Sequence, residues 1–335
     1  MKKKLNLLFI LLSFILLSLY NCDNETEEPK CPMFDIVPEA PYSDPVWHPS
    51  GDIIGFNHRP IKEIHYTYGY DCPHQARYIY DEDSTGFWLI NADGTNKRRI
   101  LPYQLTNPAW SPDGNWIAFS RNAQICIMPF DGEKFDTTSI VQLTSEGRNF
   151  FPSWSPDGEW IAYDSNKDSP KGSYFIWKIK INGLSQKRIA FTPGKGEARM
   201  PNWGDDSTIV HRRHIGIGSP EIFEMDSSGK NVIRITKNDD RERYPKYSSD
   251  DKYVFFNLQS KVFGIELWRI NVSNNQMKQL TDSGALNFSL SPYDKIVYVN
   301  HDFFRIDETK GTLWIMEADG SNKRQLTHNH FTITK

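Results

Sequence analysis

A short phrase returns six times along this chain of 335 residues. Its clearest copy, residues 107–114, reads Asn-Pro-Ala-Trp-Ser-Pro-Asp-Gly, and the other copies keep the proline, the aromatic residue or the polar turn at matching positions. Successive copies lie 63, 44, 49, 44 and 43 residues apart, counted from the fourth residue of each. A period in the forties with strand-forming residues is typical of a β-propeller with one blade per repeat. The sequence therefore predicts an all-β fold, a six-bladed β-propeller of four-stranded antiparallel blades, from copies at residues 44–51, 107–114, 151–158, 200–206, 244–251 and 287–294.

Residues 107–144 show the order expected within one blade. An inner strand at 108–110 ends in a Ser-Pro-Asp-Gly turn, where Pro112 fixes φ and Gly114 permits a positive φ. The second and third strands are predicted at 115–120 and 124–129, and the outer strand at 139–144. Each blade exposes an apolar face on both sides, which only its neighbours can cover. The prolines and tryptophans of the phrase are therefore interpreted as scaffold.

The wording of the repeat resembles a known family. The phrase is followed by Trp-Ile-Ala-Phe at 116–119 or Trp-Ile-Ala-Tyr at 160–163, then by Asp-Gly and a closing Leu-Thr, which resembles the propeller repeat of TolB and its relatives. The resemblance covers residues 41–328 and implies a secreted six-bladed scaffold that binds a protein partner at the mouth of its central channel. TolB also carries an α/β domain before its propeller, and none is expected here. The role of TolB in the Tol–Pal envelope system is therefore not expected to transfer whole.

Two enzyme groups use similar repeats. Prolyl-oligopeptidase-type serine peptidases carry them before a catalytic domain, but this sequence contains no Gly-x-Ser-x-Gly elbow. Oligogalacturonate lyases are similar propellers that hold a metal with channel histidines. That resemblance gives the alternative function, a histidine-metal polysaccharide lyase acting on acidic oligosaccharides.

The N-terminus is predicted to be a targeting segment. Lysines at 2–4 precede an apolar run at 5–20, which is short for a membrane span, so residues 1–21 are interpreted as a lipoprotein signal peptide. The end of this run resembles the lipobox of bacterial lipoproteins and places Cys22 for lipidation, while residues 22–40 form a polar tether similar to those of Bacteroidetes lipoproteins. An ordinary cleaved signal with a chance cysteine is the alternative. The expected location is the bacterial cell envelope, as an outer-membrane lipoprotein, periplasmic or surface-exposed, with residues 41–335 forming the propeller.

Charge and cysteine content narrow the partners. The formal net charge is only −3, with acids and bases mixed, which argues against nucleic-acid binding. An exported protein can oxidise its thiols, and a disulfide between Cys31 and Cys72 is expected. Cys126 lies in a predicted strand and is expected to be a small buried side chain. No structural zinc site and no cofactor are predicted.

The longest loop lies in the first repeat. Strand direction alternates within a blade, so the second-to-third and blade-to-blade connections share one face, and long loops on a rigid scaffold are where binding concentrates. Residues 57–84 contain His58, Tyr68 and Tyr70 among other aromatic and basic residues, which are common at interfaces. The segment is predicted to bind a partner or ligand, and a lid over the channel is the equal alternative.

Arginines give a second candidate surface on the same face. Guanidinium groups bind carboxylates in a bidentate manner, so an envelope protein or peptide, or an acidic glycan, is the expected partner. The alternative is that each arginine pairs with a neighbouring acid. The candidates come from the blade-to-blade loops and from a basic strand in the fourth repeat: Arg148, Arg199, Arg241, Arg243, Arg212 and Arg213.

Histidines at strand ends are the candidate metal ligands. His211 and His214 lie in the fourth repeat, and His58 and His301 end equivalent strands in other repeats. Residues three apart in a strand point to opposite sides, so His211 and His214 chelate together only if the strand ends or bulges between them. The sequence thus favours a lipid-anchored exported propeller that acts as a protein- or ligand-binding scaffold at its loop-rich channel face, without catalysis. Contact with the membrane is expected through the lipid anchor alone.

Overall fold

A computed structural model describes residues 40–69, 72–169, 171–190, 196–204, 208–214, 218–238, 240–259, 264–302 and 307–334, without the side chains of 67–69 and 72–75. The signal peptide, the lipidation site Cys22, the disulfide partner Cys31 and Tyr70 lie outside these residues, as do the side chains of Tyr68 and Cys72. Those predictions therefore stay predictions.

The described chain forms six four-stranded blades and one three-stranded sheet. The first blade begins with β1 (Tyr42–Trp47) and β2 (Ile53–His58), continues after an inserted hairpin of β3 (Ile61–Gly69) and β4 (Cys72–Tyr80), and ends with β5 (Gly86–Asn91) and β6 (Arg98–Leu101). The second contains β7 (Thr106–Trp110), β8 (Trp116–Arg121), β9 (Gln124–Pro129) and β10 (Val141–Gln142). The third contains β11 (Asn149–Trp154), β12 (Trp160–Ser165), β13 (Phe175–Lys180) and β14 (Gln186–Arg188).

The remaining three blades repeat this order. The fourth contains β15 (Ala198–Trp203), β16 (Thr208–Arg213), β17 (Glu221–Asp226) and β18 (Ile233–Arg234). The fifth contains β19 (Arg241–Tyr247), β20 (Tyr253–Gln259), β21 (Ile265–Asn271) and β22 (Met277–Gln279). The sixth contains β23 (Leu286–Leu290), β24 (Ile296–Asn300), β25 (Thr312–Met316) and β26 (Arg324–Gln325), and β27 (Thr332–Thr334) follows it. The predicted fold is confirmed.

The second blade shows where sequence reasoning was accurate. The third strand has the predicted bounds, and the first two strands differ from prediction by one or two residues. The outer strand is shorter than predicted, because it lies at the rim, where Val141 is 44% exposed and burial adds little to pairing. A short 3₁₀-helix at Glu82–Ser84 is the one helical element in the described chain. Among the described residues, no helix combines the length and the apolar character that a membrane span requires.

Apolar clusters join neighbouring blades. Ile125 of the second blade packs in one cluster with Trp154 and Ile161 of the third. Leu313 of the sixth blade packs in another with Ile54 of the first, so the ring is closed. Each large side chain buried in this way contributes roughly 1.5–3 kcal/mol.

Hydrogen bonds from the third residue of the phrase also join the blades. Ser153 Oγ accepts a hydrogen bond of 2.9 Å from the backbone N–H of Trp203 in the next blade. Ser289 Oγ accepts the equivalent bond of 2.9 Å from Trp47 N–H and so links the last blade to the first. Both bonds are buried, where an unmade backbone hydrogen bond is costly.

The two ends of the propeller chain meet at the first and sixth blades. The outer strand of the sixth blade, β26, comes from the C-terminal segment and not from the residues before Asp44. The strand β27 was not predicted. It pairs in parallel with β3, placing Ile333 opposite Ile64, and so ties the C-terminal segment to the inserted hairpin.

Each inner strand carries a β-bulge at the start of the phrase. The pairing register shifts between Ser43 and Val46 in the first blade, at the same place in the second to fifth blades, and between Leu286 and Phe288 in the sixth. The first phrase residue has a positive φ in every copy, from 36° to 56°. In five copies the second residue is proline, whose missing N–H is tolerated where the ladder is interrupted.

Replacing Ser289 with alanine should lower the free energy of unfolding by about 1–3 kcal/mol, because Trp47 N–H loses its buried partner. Ser153→Ala should have a similar effect at the boundary between the third and fourth blades. Urea denaturation measures both. The control is Ser321→Ala on an exposed turn, and an equal loss there would contradict the assignment.

Candidate functional site

The phrase residues line the central channel. A cavity of about 590 Å³ is bounded by the inner strands of all six blades. The first residue of every phrase copy contributes to its wall, because the bulge leaves that residue out of the ladder. We call these residues the bulge ring: Asp44, Asn107, Phe151, Met200, Tyr244 and Asn287.

The bulge ring is divided into a polar and an apolar half. Asn287, Asp44 and Asn107 belong to the consecutive sixth, first and second blades, whereas Phe151, Met200 and Tyr244 belong to the third, fourth and fifth. The Asp44 carboxylate accepts hydrogen bonds from Asn57 Nδ2 at 3.1 Å and from Asn287 Nδ2 at 3.3 Å. Burial raises the pKa of Asp44 above its usual value, although hydrogen bonds from Asn57 and Ser43 and the charge of Lys246 oppose the shift.

Lys246 is a cation on the cavity wall whose charge interacts with that of Asp44. It occupies the third phrase position of the fifth blade, and its Nζ lies 5.9 Å from the centre of the Phe288 ring. Burial lowers its pKa to about 8, while the negative charge of Asp44 favours the protonated form. Within the described chain, no hydrogen bond or ion pair holds this ammonium group.

Three arginines meet outside this cavity, around the starts of β15 and β19. Arg199 and Arg212 are paired across β15 and β16, and Arg243 lies on the neighbouring β19. The pKa of Arg212 is lowered by burial, and the positive charges of Arg243 and Arg199 add to the shift. We call these three residues the arginine cluster.

The arginine cluster has unused hydrogen-bond donors. Arg199 Nε donates to Asp164 Oδ2 at 3.1 Å, and the Arg199 guanidinium lies 4.0 Å from the centre of the Tyr174 ring. Burial raises the pKa of Asp164 to about 6, and Arg199 opposes that shift. By contrast, the buried Nε atoms of Arg212 and Arg243 have no hydrogen-bond partner in the described chain. These two Nε atoms are enclosed by the protein, whereas Arg212 and Arg243 as whole residues are half-buried and so partly accessible to a ligand.

The other predicted arginines lie apart from the cluster. Arg148 is exposed, 5.8 Å from the centre of the Phe150 ring, and Arg241 is also exposed. Arg213 lies 5.4 Å from the centre of the Phe223 ring. The alternative of pairing with a neighbouring acid is wrong for Arg199, because its partner Asp164 belongs to another blade.

The structure does not gather the candidate histidines. The His58 ring stacks on the Tyr42 ring with 4.0 Å between ring centres, and His58 Nδ1 lies 3.1 Å from the carbonyl oxygen of Pro41. The centre of the His211 ring lies 6.2 Å from that of Phe223. Burial lowers the pKa of both histidines to about 3, and that of His301 to about 4. Only His211 and His214 share a blade, and among the described residues no group of three or more His, Cys, Asp or Glu could hold a metal ion.

Cys126 is free and buried, as predicted.

Asp44 and Lys246 belong to the phrase, of which only the prolines and tryptophans were interpreted, as scaffold, so their position on the channel was missed. A signal was present in the repeat itself. The second and fourth phrase positions are nearly constant, whereas the first position changes from Asp to Asn, Phe, Met and Tyr. A position that varies between copies while its neighbours stay constant is one where the fold does not require a particular side chain.

Two buried carboxyl groups meet between the fourth and fifth blades. Glu221 is 4% exposed and Glu242 is fully buried. Asn238 bridges them, since its backbone N–H donates to Glu221 and its side-chain amide donates to Glu242. Arg234 Nη2 donates to Glu221 at 2.6 Å, whereas within the described residues no ion pair joins Glu242 to a cation. Burial raises the pKa of Glu242 from 4.5 to about 8, and Glu221 and Asp240 add to the shift.

The same positions between the second and third blades hold amides. Gln124 and Glu221 each precede a residue whose N–H donates to a threonine hydroxyl. Asn149 and Glu242 each lie two residues before the bulge. Asn149 Nδ2 donates to Gln124 Oε1 at 2.8 Å, so these two side chains are joined by a hydrogen bond that needs no carboxyl proton.

The comparisons with known proteins agree with this fold. The chain matches the family model of the TolB beta propeller domain over residues 78–335, and it belongs to this family. Atu1656, an uncharacterised protein of Agrobacterium fabrum, is 23% identical over 255 residues, covering 69% of this chain and 80% of that protein.

Solved structures of low identity share the fold. A candidate TolB from Agrobacterium tumefaciens has a TM-score of 0.59 at 23% identity, covering 70% of this chain and 84% of that one. TolB from Acinetobacter baumannii has a TM-score of 0.61 at 22% identity, covering 74% of this chain and 60% of that one. An oligogalacturonate lyase in complex with manganese has a TM-score of 0.52 at 9% identity, covering 85% of this chain and 76% of that one.

Replacing Glu242 with glutamine should change the pH dependence of stability. Because the pKa of Glu242 is higher in the folded state than its usual 4.5, the folded protein binds this proton more tightly, and the free energy of unfolding falls as pH rises from 4.5 towards 8. Glutamine copies the neutral form, so Glu242→Gln should be more stable than wild type at pH 8 and similar to it at pH 5. Denaturant titrations at the two pH values measure the difference.

Glu266→Gln is the control for Glu242→Gln. Glu266 occupies the position of Glu221 in the next blade, but it accepts bonds from Thr281 and Gly284 without facing a second buried carboxyl group. It should gain no stability at pH 8. A gain as large as that of Glu242→Gln would refute the role of the carboxyl pair.

Proposed function

We propose that this protein is an exported, lipid-anchored binding scaffold, without catalysis, that holds an acidic segment of an envelope protein at the arginine cluster. The observation that carries the proposal is the convergence of three arginines, since Arg199 and Arg212 are paired across neighbouring strands and the charges of Arg199 and Arg243 both act on Arg212. A carboxylate ligand forms charge-assisted hydrogen bonds with guanidinium groups.

The position of the cluster supports binding. Arg199, Arg212 and Arg243 are on strands rather than on loops, so the ligand meets a preorganised surface. Bringing three cations together is unfavourable, since Arg243 and Arg199 both lower the pKa of Arg212. An anion that binds to all three would turn this repulsion into attraction, and a guanidinium fork fits a carboxylate.

Family membership is compatible with a non-catalytic binding role, because it establishes a TolB-like propeller fold. The relatives with the higher TM-scores are described as TolB, and their likeness to this chain concerns the fold. The lyase alternative receives no support from the histidines, which are divided among three blades. The partner is therefore proposed from the chemistry of the arginine cluster.

The arginine cluster is tested with a short peptide rich in Glu, with both ends blocked, and a matched peptide in which Gln replaces each Glu. The acidic peptide should bind the wild-type protein and the neutral peptide should not, by fluorescence anisotropy at low ionic strength. Arg212→Gln or Arg243→Gln should weaken binding about tenfold, because one cation that attracts the carboxylates is lost.

Arg241→Gln is the matched control, because Arg241 lies on the same strand as Arg243 and is exposed. It changes the net charge equally and should leave the affinity close to wild type. Equal weakening by all three variants would show that only net charge matters and would contradict a built site. Preference for an acidic oligosaccharide over the peptide would replace the proposed partner.

The lipid anchor is tested by Cys22→Ser. The change removes the proposed acylation site, so the protein should move from the membrane fraction to the soluble fraction of the envelope, as followed by immunoblotting. The control is Cys126→Ser, since Cys126 is buried within a blade. Membrane association that persists in Cys22→Ser would overturn the proposed anchor.

A further inference from the structure

The third phrase position of the fifth blade breaks the pattern of the repeat. In the other five copies this position holds small or neutral residues, namely Val46, Ala109, Ser153, Asn202 and Ser289. The polar ones accept hydrogen bonds from the backbone of the following blade. A protonated Lys246 cannot accept such a bond, so its side chain does not link the fifth blade to the sixth in this way.

Lys246 instead places a cation on the cavity wall. Asp44 is the one carboxylate whose charge acts appreciably on Lys246, but no ion pair within 4.0 Å joins the two in the described chain. An enclosed charge without a contacting partner is costly, and such groups are normally paired or bound to a ligand. The cavity therefore contains a fixed positive group that lacks a counterion in direct contact.

The surroundings of Lys246 are suited to an apolar body. Phe288 lies beneath the ammonium group, and the apolar half of the bulge ring adds Phe151, Met200 and Tyr244. The volume of about 590 Å³ is in the range of small-molecule sites. The three arginines do not line this cavity, although they lie behind its apolar half, where Arg199 is 6.0 Å from the centre of the Phe151 ring and all three charges act on Tyr244.

We propose that the channel cavity binds a small molecule with one carboxylate and an apolar or aromatic body, with Lys246 as the residue that binds the carboxylate. Asp44 makes the site selective for a ligand with a single negative charge, because a second carboxylate on the ligand would be repelled by the Asp44 carboxylate in the same cavity. Phe288, Phe151 and Tyr244 contact the body of the ligand. This site is distinct from the proposed binding of an acidic protein segment and does not depend on it.

The test uses N-acetylphenylalanine as the probe and its C-terminal amide as the matched neutral compound. Isothermal titration calorimetry with the wild-type protein should show saturable binding of the acid, and the amide should bind about tenfold more weakly or less. N-acetylaspartate, which carries a second carboxylate, should also bind more weakly than the probe. Each comparison uses the wild-type protein and is independent of how any variant folds.

A lysine pair localises the site. Lys246→Met keeps the length of the side chain without its charge and should weaken binding of the acid about tenfold. The matched control is Lys252→Met in the same blade, since Lys252 is exposed and paired with Asp250 at 2.7 Å. Reductive methylation with formaldehyde, followed by peptide mapping, should show that the probe protects Lys246 and leaves the labelling of Lys252 unchanged.

Arg212→Gln separates this proposal from the proposed function. Loss of probe binding in Arg212→Gln with retention in Lys246→Met would assign the carboxylate to the arginine cluster and refute the Lys246 site. Equal affinity for acid and amide, or absence of saturable binding at millimolar concentrations, would also refute it. Failure of the acidic peptide to bind at the arginine cluster would leave these results unaffected.

Discussion

Each blade depends on its neighbours, because its apolar faces are buried only where another blade covers them. The clusters that contain Ile125 with Trp154, and Leu313 with Ile54, both cross a blade boundary. Closure at the Ser289–Trp47 hydrogen bond therefore completes the core as well as the ring. An uncovered blade would expose large aliphatic and aromatic surfaces to water, so the fold is stable as a closed set of blades.

The β-bulges of the inner strands place one side chain from each blade on the wall of the channel. The ladder is interrupted once in each inner strand, and the first phrase residue, which lies at the interruption, lines the channel. A positive φ at a residue other than glycine is unfavourable, so its presence in all six copies shows that packing of the repeat imposes it. The chemistry of the channel can therefore change without a change in the blades, which explains a ring with one polar and one apolar half.

Charged groups occur where the repeat departs from its own pattern. Glu221 and Glu242 replace the amide pair formed by Gln124 and Asn149, and the cost of burying two acids raises the pKa of Glu242. Lys246 replaces a small residue, and Arg212 and Arg243 each bury an Nε donor that has no partner among the residues the structure describes. These departures lie in the fourth and fifth blades, so the charges lie on one side of an otherwise regular ring. Local rules are broken most often at functional positions.

The sequence by itself determined the fold, because strand, turn and spacing are local properties that recur in every repeat. It also identified Arg199, Arg212 and Arg243 as residues on the loop-rich face. Only the tertiary structure separated these three from Arg148, Arg213 and Arg241, and only it placed Asp44 and Lys246 on the same cavity wall. Their copies of the phrase are far apart in sequence, and what brings them together is the closure of the ring. The direction of each first phrase residue depends on a bulge, which period-two alternation along a strand does not reveal.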